Sequence, residues 1–115
     1  MGDRRQVHIR QEGPESTALV LYTHWGGSEL EEVIATAVAD LRSAGRLDDK
    51  LYATRFIVDQ MFKDCRDSVR GGGIGVGIEM ETEYDDIFIT WPADEWSAVP
   101  EVRTGSTVWG SVVAV

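Results

Sequence analysis

The sequence predicts an α+β fold, a two-layer sandwich in which two helices lie on one face of a mainly antiparallel sheet. Two observations carry this prediction: β-forming runs lie near both ends of the chain, and two segments with helical spacing of apolar residues lie between them. The predicted order is β-β-α-α-β-β, with an extra C-terminal strand as an option. The 115 residues fit a single domain over residues 1–115, in which residues 92–115 form a final strand or an oligomer contact.

The first two predicted strands form a hairpin. Residues 7–11 and 17–23 are rich in β-forming side chains, and Gly13-Pro14 between them is a strong turn signal. The second strand is apolar on both faces over residues 18–22, which is typical of a strand inside a sheet. We therefore expect this strand to be central and covered on both faces.

Two helices follow the hairpin. Ser28 and Glu31 have the spacing of a capping box, and Gly45 supplies a stop for the first helix. The predicted buried face of that helix consists of Leu30, Val33, Ile34, Ala37, Val38 and Leu41. Asp48 is the predicted cap of the second helix, which runs from about residue 49 to about residue 65. Apolar side chains surround much of the second helix, so we expect it to be largely buried.

The last third of the chain contains the remaining predicted strands. The glycine-rich residues 71–75 predict no regular element, and the alternation over residues 76–82 predicts a half-exposed strand. Residues 83–86 predict a tight return into a strand over residues 87–91, which Pro92 ends because it has no backbone N–H. Residues 96–104 are predicted as a loop and residues 107–115 as a last strand.

The net charge narrows the classes of partner. The chain carries 11 basic and 20 acidic residues, a net charge of −9, which repels nucleic acid and acidic membrane surfaces. The chain shows no apolar run of roughly 18 residues and no signal peptide, so we expect a soluble, cytoplasmic protein. The single Cys65 offers neither an internal disulfide nor a cysteine-based zinc site. No metal site, no cofactor and no basic-aromatic stripe is predicted.

The acidic charge is concentrated in residues 71–115, which hold 1 basic and 8 acidic side chains. Two interpretations stay open. Either these carboxylates form a solvated face, or the hairpin acids Glu79, Glu81, Glu83, Asp85 and Asp86 meet a basic surface of a host protein.

The first candidate site lies where the second strand meets the first helix. Tyr22, His24, Trp25, Gly26 and Gly27 follow one another there. Free backbone N–H groups and the positive end of the helix dipole favour an anion at such a junction, and glycine permits its close approach. The alternative is structural, with a tryptophan anchored in the core, a histidine at a bend and glycines in a turn.

The second candidate site is a stripe of the second helix. Tyr52, Arg55 and Asp59 lie at spacings of three and four residues, so they share one side of that helix. Arg55 either pairs with Asp59 at the surface or points to the strand-to-helix junction and binds an anion or a flat ring there.

The inventory of catalytic residues favours a binding protein over an enzyme. No serine lies in a nucleophile-elbow pattern, and Cys65 has Asp64 and Asp67 nearby, which discourage a thiolate. The glycine run at residues 71–77 precedes a predicted strand, whereas a dinucleotide loop precedes a helix. If the chain were an enzyme, His24 would act as the acid or base, oriented by Asp59 or by Asp48.

Several segments together carry a family resemblance: residues 21–27 (Leu-Tyr-Thr-His-Trp-Gly-Gly), Arg46-Leu47-Asp48, Tyr52-x-x-Arg55 and Gly73-Ile74-Gly75. Over about residues 18–91 the chain resembles small proteins of tailed phages, prophages and actinobacterial genomes that carry a Tyr-Thr-His-Trp-Gly-Gly motif. The resemblance implies a viral accessory context and no mechanism. Its motif positions are Tyr22, His24, Trp25, Gly26, Asp48, Tyr52 and Arg55.

The preferred hypothesis is a phage counter-defence protein that sequesters a small nucleotide-like host signal without turnover in the bacterial cytoplasm. The predicted ligand-binding residues are Tyr22, His24, Trp25, Gly26, Gly27, Tyr52, Arg55 and Asp59. The alternatives are an acidic protein that inhibits a host defence effector and a small nucleotide-processing enzyme. The valine-rich C-terminal segment favours a homo-oligomer.

Overall fold

The computed structural model describes residues 4–12, 19–23, 27–63, 74–77, 82, 84–93 and 99–109. These residues form one six-stranded sheet, two α-helices and a short 3-10 helix. The elements in chain order are β1 (Arg5–Gln11), β2 (Leu19–Thr23), the 3-10 helix (Gly27–Glu29), α1 (Leu30–Ser43), α2 (Lys50–Phe62), β3 (Ile74–Val76), β4 (Ile87–Trp91), β5 (Glu101–Thr104) and β6 (Thr107–Val108).

The strand order in the sheet is β3-β2-β1-β4-β5-β6. Every neighbouring pair is antiparallel except β1 and β4, which run parallel with Val7 opposite Ile87 and Ile9 opposite Ile89. The predicted α+β class and the predicted β1–β2 hairpin are therefore confirmed. β1 and β4 hold the middle of the sheet, and β2 lies between β1 and β3.

The hydrophobic core lies between one face of the sheet and the two helices. Alternate residues of a strand point to opposite faces, so the register places the apolar residues of four strands on the same side. The buried core residues are Val7, Ile9, Leu21, Ile87, Ile89, Trp91 and Val102 from the sheet, Leu30, Ile34, Ala37, Val38 and Leu41 from α1, Leu47 from the connection between the helices, and Ala53, Ile57 and Met61 from α2. Both helices thus cover this face, as predicted for a two-layer sandwich.

Helix α1 ends as its sequence predicts and begins differently. Gly45 has a φ of +71°, its N–H donates to the carbonyl of Arg42, and the next N–H, of Arg46, donates to the carbonyl of Leu41. This is the hydrogen-bond pattern of a Schellman motif, for which glycine is favoured. The predicted capping box is wrong, because Ser28 lies inside the 3-10 helix and Glu29 occupies the N-cap position without a side-chain cap hydrogen bond.

Helix α2 is capped by Asp49 rather than by the predicted Asp48. The Asp49 Oδ1 atom accepts a hydrogen bond from the backbone N–H of Tyr52 at 3.4 Å. The expectation of a largely buried helix is also wrong, because only one stripe is buried and Leu51 is 82% exposed. The helix ends at Phe62, and Cys65 lies outside the described residues.

The predicted β4 strand and its end at Pro92 are confirmed, but the predicted return from the preceding strand is wrong. β3 pairs with β2, whereas β4 pairs with β1, so two strands separate β3 from β4. β3 also begins at Ile74, within the glycine-rich run for which no regular element is predicted. Gly77 follows it with a φ of +121°, which a residue with a side chain rarely adopts. Glu79, Glu81 and Glu83 lie outside the described residues.

The C-terminal part of the described chain adds a strand that the sequence does not predict. β5 lies within the predicted loop and places Val102 in the core opposite Ile89. The predicted last strand is present as β6, which pairs with β5, and residues 110–115 lie outside the described residues. No helix among the described residues is long and apolar enough to span a bilayer.

Candidate functional site

Among the described residues, the structure brings Tyr52, Arg55 and Asp59 together and keeps Tyr22 apart from them. Leu21 points into the core, so its neighbour Tyr22 points to the opposite face of the sheet. Tyr52, Arg55 and Asp59 belong to α2, which covers the core face. The sheet therefore separates Tyr22 from the three helical residues. His24, Trp25 and Gly26 lie outside the described residues.

Arg55 adopts the surface arrangement that the helical spacing allows. Its Nη1 atom lies 3.7 Å from Oδ2 of Asp59, and its side chain is 59% exposed. Its guanidinium lies 5.0 Å from the ring centre of Tyr52, over which the guanidinium of Arg46 also lies, at 4.5 Å. Tyr52 itself packs against the hydrophobic core. A flat ligand would meet these arginines before it reached the Tyr52 ring.

The arginine that reaches the strand-to-helix junction is Arg5, which the sequence does not single out. Its Nη1 donates to the carbonyl of Gly27 at 3.1 Å, its Nη2 to Oε2 of Glu31 at 3.1 Å, and its Nε to the carbonyl of Asp85 at 2.9 Å. Arg5 is 6% exposed. Because these protein acceptors engage all three nitrogens, Arg5 ties β1 to the start of α1 rather than offering donors to a ligand.

A different group of functional side chains lies on the sheet face turned away from the helices, which we call the outer sheet face. One row crosses it in register, from Val20 on β2 through His8 on β1 and Phe88 on β4 to Arg103 on β5. Residues in register on one face are close enough for their side chains to touch. The described residues with side chains on this face are Gln6, His8, Arg10, Val20, Tyr22, Asp86, Phe88, Thr90, Glu101, Arg103 and Val108.

Phe88 is the centre of this row. The His8 ring stacks on it, with ring centroids 4.8 Å apart and an interplanar angle of 19°. The guanidinium carbons of Arg10 and Arg103 lie 4.7 Å and 4.8 Å from the same ring centre. A phenyl ring attracts cations to its face, so Phe88 holds two arginines close together in a chain of net charge −9.

Asp86 holds the other end of this group. Its Oδ2 lies 2.8 Å from Nε2 of His8, and the Gln6 amide donates to both of its carboxylate oxygens at 3.3 Å and 3.5 Å. His8 and Gln6 are 5% and 3% exposed. Because a buried histidine with a carboxylate partner has little freedom to rotate, Asp86 sets the orientation of the ring on which Phe88 stacks.

The two arginines differ in the hydrogen bonds that their Nε atoms make. Arg10 donates from Nε to Oγ1 of Thr90 at 3.2 Å. Nε of Arg103 is buried and has no hydrogen-bond partner in the part of the chain that the structure describes. A buried donor without an acceptor is costly, so the Arg103 guanidinium is less well satisfied by the protein than that of Arg10. The outer sheet face therefore offers two guanidinium groups that lie on the Phe88 ring, with the carboxylates of Asp86 and Glu101 on the same face.

Sequence reasoning missed this group for a physical reason. The alternation of Gln6, His8 and Arg10 with Val7 and Ile9 is visible in the sequence and indicates a strand with one polar face. The basic-aromatic stripe, however, does not run along the chain. It forms across β1, β4 and β5, so it exists only once the parallel β1–β4 pairing is known.

Neither of two cavities lined by described residues contains Tyr22, Tyr52, Arg55 or Asp59 in its lining. One is an open groove of about 430 Å³ between the helices, bordered by Glu29 and Glu32 of the α1 start and by Gln60 and Lys63 at the end of α2. The other, of about 170 Å³, lies between the ends of β1 and β4 and the first turns of α2.

No group of three or more histidine, cysteine, aspartate or glutamate side chains that could hold a metal ion occurs among the described residues. Comparisons with known proteins find no matching family model, no matching curated protein and no matching solved structure.

Proposed function

We propose that the chain is a small binding protein that holds a nucleotide-like anion on its outer sheet face without converting it. One observation carries the proposal: Arg10 and Arg103 both lie over the half-buried ring of Phe88. This site replaces the predicted pocket at the strand-to-helix junction, whose described end is occupied by the contacts of Arg5.

The chemistry of the group matches the two parts of such a ligand. A guanidinium donates several hydrogen bonds in a fixed plane, which suits the oxygens of a phosphate. A flat heterocyclic base stacks on an aromatic ring or on the plane of an arginine. Arg10 and Arg103 supply both features, since each guanidinium has donors and a plane, and the Phe88 ring holds the two together on β1, β4 and β5.

The charge of the chain supports a small ligand rather than a nucleic acid strand. A long polyanion would meet the whole field of a protein with 20 acidic and 11 basic residues. A small anion meets mainly the charges of this face, because exposed charges beyond about 8 to 10 Å are screened at physiological salt. These are the two arginines, Asp86, which is held by His8 and Gln6, and Glu101, which is exposed to solvent. The outer sheet face therefore selects for short anionic ligands.

The biological setting that we propose follows from the resemblance to phage proteins. A phage protein of this kind would bind a nucleotide signal of its bacterial host in the cytoplasm and so lower the free concentration of that signal. The alternative of an acidic inhibitor receives less support, because Asp86 of the acidic segment is engaged by His8 and Gln6.

A nucleotide-processing enzyme is the second candidate, and one observation favours it. His8 Nε2 lies 2.8 Å from a carboxylate oxygen of Asp86, an arrangement that also orients catalytic histidines. This pair differs from the predicted one, in which His24 is oriented by Asp59 or Asp48. Loss of a bound nucleotide with time and the appearance of its product, abolished by His8→Gln, would favour the enzyme over the binding protein.

Native mass spectrometry of the chain after incubation with nucleotides extracted from phage-infected bacteria tests the proposal. We expect a retained mass of nucleotide size on the wild type that is lost in Arg103→Gln. The matched control is Arg55→Gln, which removes the same charge from α2 and should retain the ligand. The same spectrum reports the proposed homo-oligomer.

Two outcomes contradict the proposed function. A wild-type chain that stays without a ligand after incubation excludes a nucleotide binder. Equal loss of the ligand in Arg103→Gln and Arg55→Gln excludes the outer sheet face as its position.

A further inference from the structure

One edge of the sheet is formed by β3, whose backbone groups point in two directions. The N–H of Gly77 donates to the carbonyl of Val20 at 2.8 Å, in register with the pairing of β3 and β2. In an antiparallel ladder, hydrogen-bonded pairs alternate with pairs that are not hydrogen-bonded. Gly75 and Gly77 therefore direct their N–H and C=O groups towards β2, and Ile74 and Val76 direct theirs away from it.

The outward groups of this edge have no partner strand in the described part of the chain. β3 is the first strand in the sheet order, and no hydrogen bond joins the backbone of Ile74 or Val76 to a described residue outside the β2–β3 ladder. The Val76 side chain is 59% exposed, although it shares a face of the sheet with the buried Leu21. The edge of β3 thus exposes donors, acceptors and apolar surface, which is the combination that accepts another strand.

The opposite edge, formed by β6, offers less. β6 consists of Thr107 and Val108, and the N–H of Trp109 donates back to the carbonyl of Val102. By the same alternation, only Val108 directs its backbone groups away from β5. Strand addition at β3 therefore gains more hydrogen bonds than strand addition at β6.

The edge of β3 is complementary to itself. When two copies meet antiparallel with Gly75 opposite Gly75, Ile74 of each copy comes opposite Val76 of the other. Two residues opposite each other in a hydrogen-bonded antiparallel pair exchange both of their N–H···O bonds. Every outward backbone group of β3 then has a partner in the second copy.

The charges in the sequence also fit a second copy. Residues 71–78 are uncharged in a chain of net charge −9, with Arg70 before them and Glu79 after them. An uncharged segment is where two acidic chains can approach with least repulsion. Because an antiparallel pair reverses one copy, the basic end of each segment comes to the acidic end of the other.

We propose that two copies of the chain associate through their β3 strands, antiparallel and centred on Gly75, so that their sheets become one continuous sheet. This interface is distinct from the C-terminal segment, for which the sequence predicts an oligomer contact. β3 has only three residues, so the contact area is small and the dimer dissociates on dilution. The proposal does not depend on nucleotide binding at the Phe88 cluster.

Sedimentation velocity of the full chain over a dilution series, without added nucleotide, tests the proposal. We expect a concentration-dependent shift from one chain to two and no larger species. Val76→Lys should weaken the dimer about tenfold, because it puts a charge at the edge of each copy. The matched control is Val108→Lys, which adds the same charge to a valine of similar exposure on β6 and should leave the dimer unchanged.

A second pair of variants tests the antiparallel arrangement. Arg70→Glu makes both ends of the segment acidic, and Glu79→Arg makes both ends basic. An equimolar mixture of the two variants should dimerise more strongly than either variant alone. Repulsion between net charges alone predicts an intermediate mixture, so an intermediate result would refute the antiparallel pairing.

Three results of the dilution series would overturn the proposal. A wild type that stays a single chain at all concentrations excludes the dimer. Equal weakening by Val76→Lys and Val108→Lys excludes β3 as its specific position. Species that grow beyond two copies would show that β3 of one chain joins β6 of the next, because such a contact does not close.

Discussion

His8 and Phe88 face each other across the parallel pair β1–β4, with their rings 4.8 Å apart and 19° from parallel. The two rings differ in burial, since His8 is 5% exposed and Phe88 is half-buried. Asp86, two residues before Phe88 on the same face, holds the histidine ring. The position of the Phe88 ring thus depends on the partly buried contact between His8 and Asp86.

Phe88→Leu should weaken ligand binding without unfolding the chain. Leucine keeps the apolar volume but offers no ring face to Arg10 and Arg103, so both guanidiniums lose their common support. We expect binding to weaken about tenfold, which is about 1.4 kcal/mol. Titration of the retained nucleotide checks this value.

The control for Phe88→Leu is Phe56→Leu. Phe56 packs against the core from α2 and lies on the other side of the sheet. Its substitution should lower stability and leave binding unchanged. Equal weakening by the two variants would show that binding follows general stability rather than the Phe88 ring.

Asp86→Ala should destabilise the fold by about 1 to 3 kcal/mol, because it leaves buried donors of His8 and Gln6 without their acceptor. Asp85→Ala, one residue earlier, should change the free energy of unfolding by less than about 0.5 kcal/mol, since Asp85 is exposed and its carbonyl, which Arg5 uses, remains. Urea unfolding measures both. Similar losses would mean that the carboxylate contact with His8 contributes no stability.

Arg5→Met should cost about 2 kcal/mol of unfolding free energy. It removes hydrogen bonds to the carbonyls of Gly27 and Asp85 and the ion pair with the half-exposed Glu31. Arg55→Met should cost less than about 0.5 kcal/mol, because its pair with Asp59 is largely exposed to solvent. Thermal unfolding of the two variants compares them, and an Arg55→Met chain that melts as early as Arg5→Met would contradict the assignment.

Asp49→Ala should destabilise α2 by about 1 kcal/mol, the usual effect of removing an N-cap side chain. Asp48→Ala tests the cap that the sequence predicts, and we expect a change below about 0.5 kcal/mol. The comparison uses the unfolding midpoint of each variant. A larger loss of stability in Asp48→Ala would show that Asp48 caps α2, as the sequence predicts.

The sequence alone predicts the structural features that depend on residues close together in the chain. Gly45 ends α1 and Pro92 ends β4 because each acts on its own backbone. The Arg55–Asp59 pair was likewise among the predicted alternatives, since a spacing of four residues on a helix brings side chains together.

Contacts between segments that are far apart in the sequence cannot be predicted in this way. The parallel partner of β1 cannot be deduced from its pattern, so the predicted return before β4 was wrong and the row through Phe88 was missed. β5 is four residues long with one core residue, Val102, which is too short for a period-two signal. Arg5 likewise looks like part of a charged N-terminal segment until its contact with Gly27 is known.

The parallel pairing of β1 with β4 sets an order of events during synthesis on the ribosome. β1 has neighbouring strands on both sides only after Ile87, the partner of Val7 about 80 residues later, has been synthesised. Until β3 and β4 have been made, both edges of the β1–β2 hairpin lack a partner strand, and the β1 edge lacks it longer. Such an edge is the type of surface that joins other nascent chains. Closing so long a segment is also entropically slow. The strand that is most protected in the finished fold is therefore the most vulnerable one while the chain is being made.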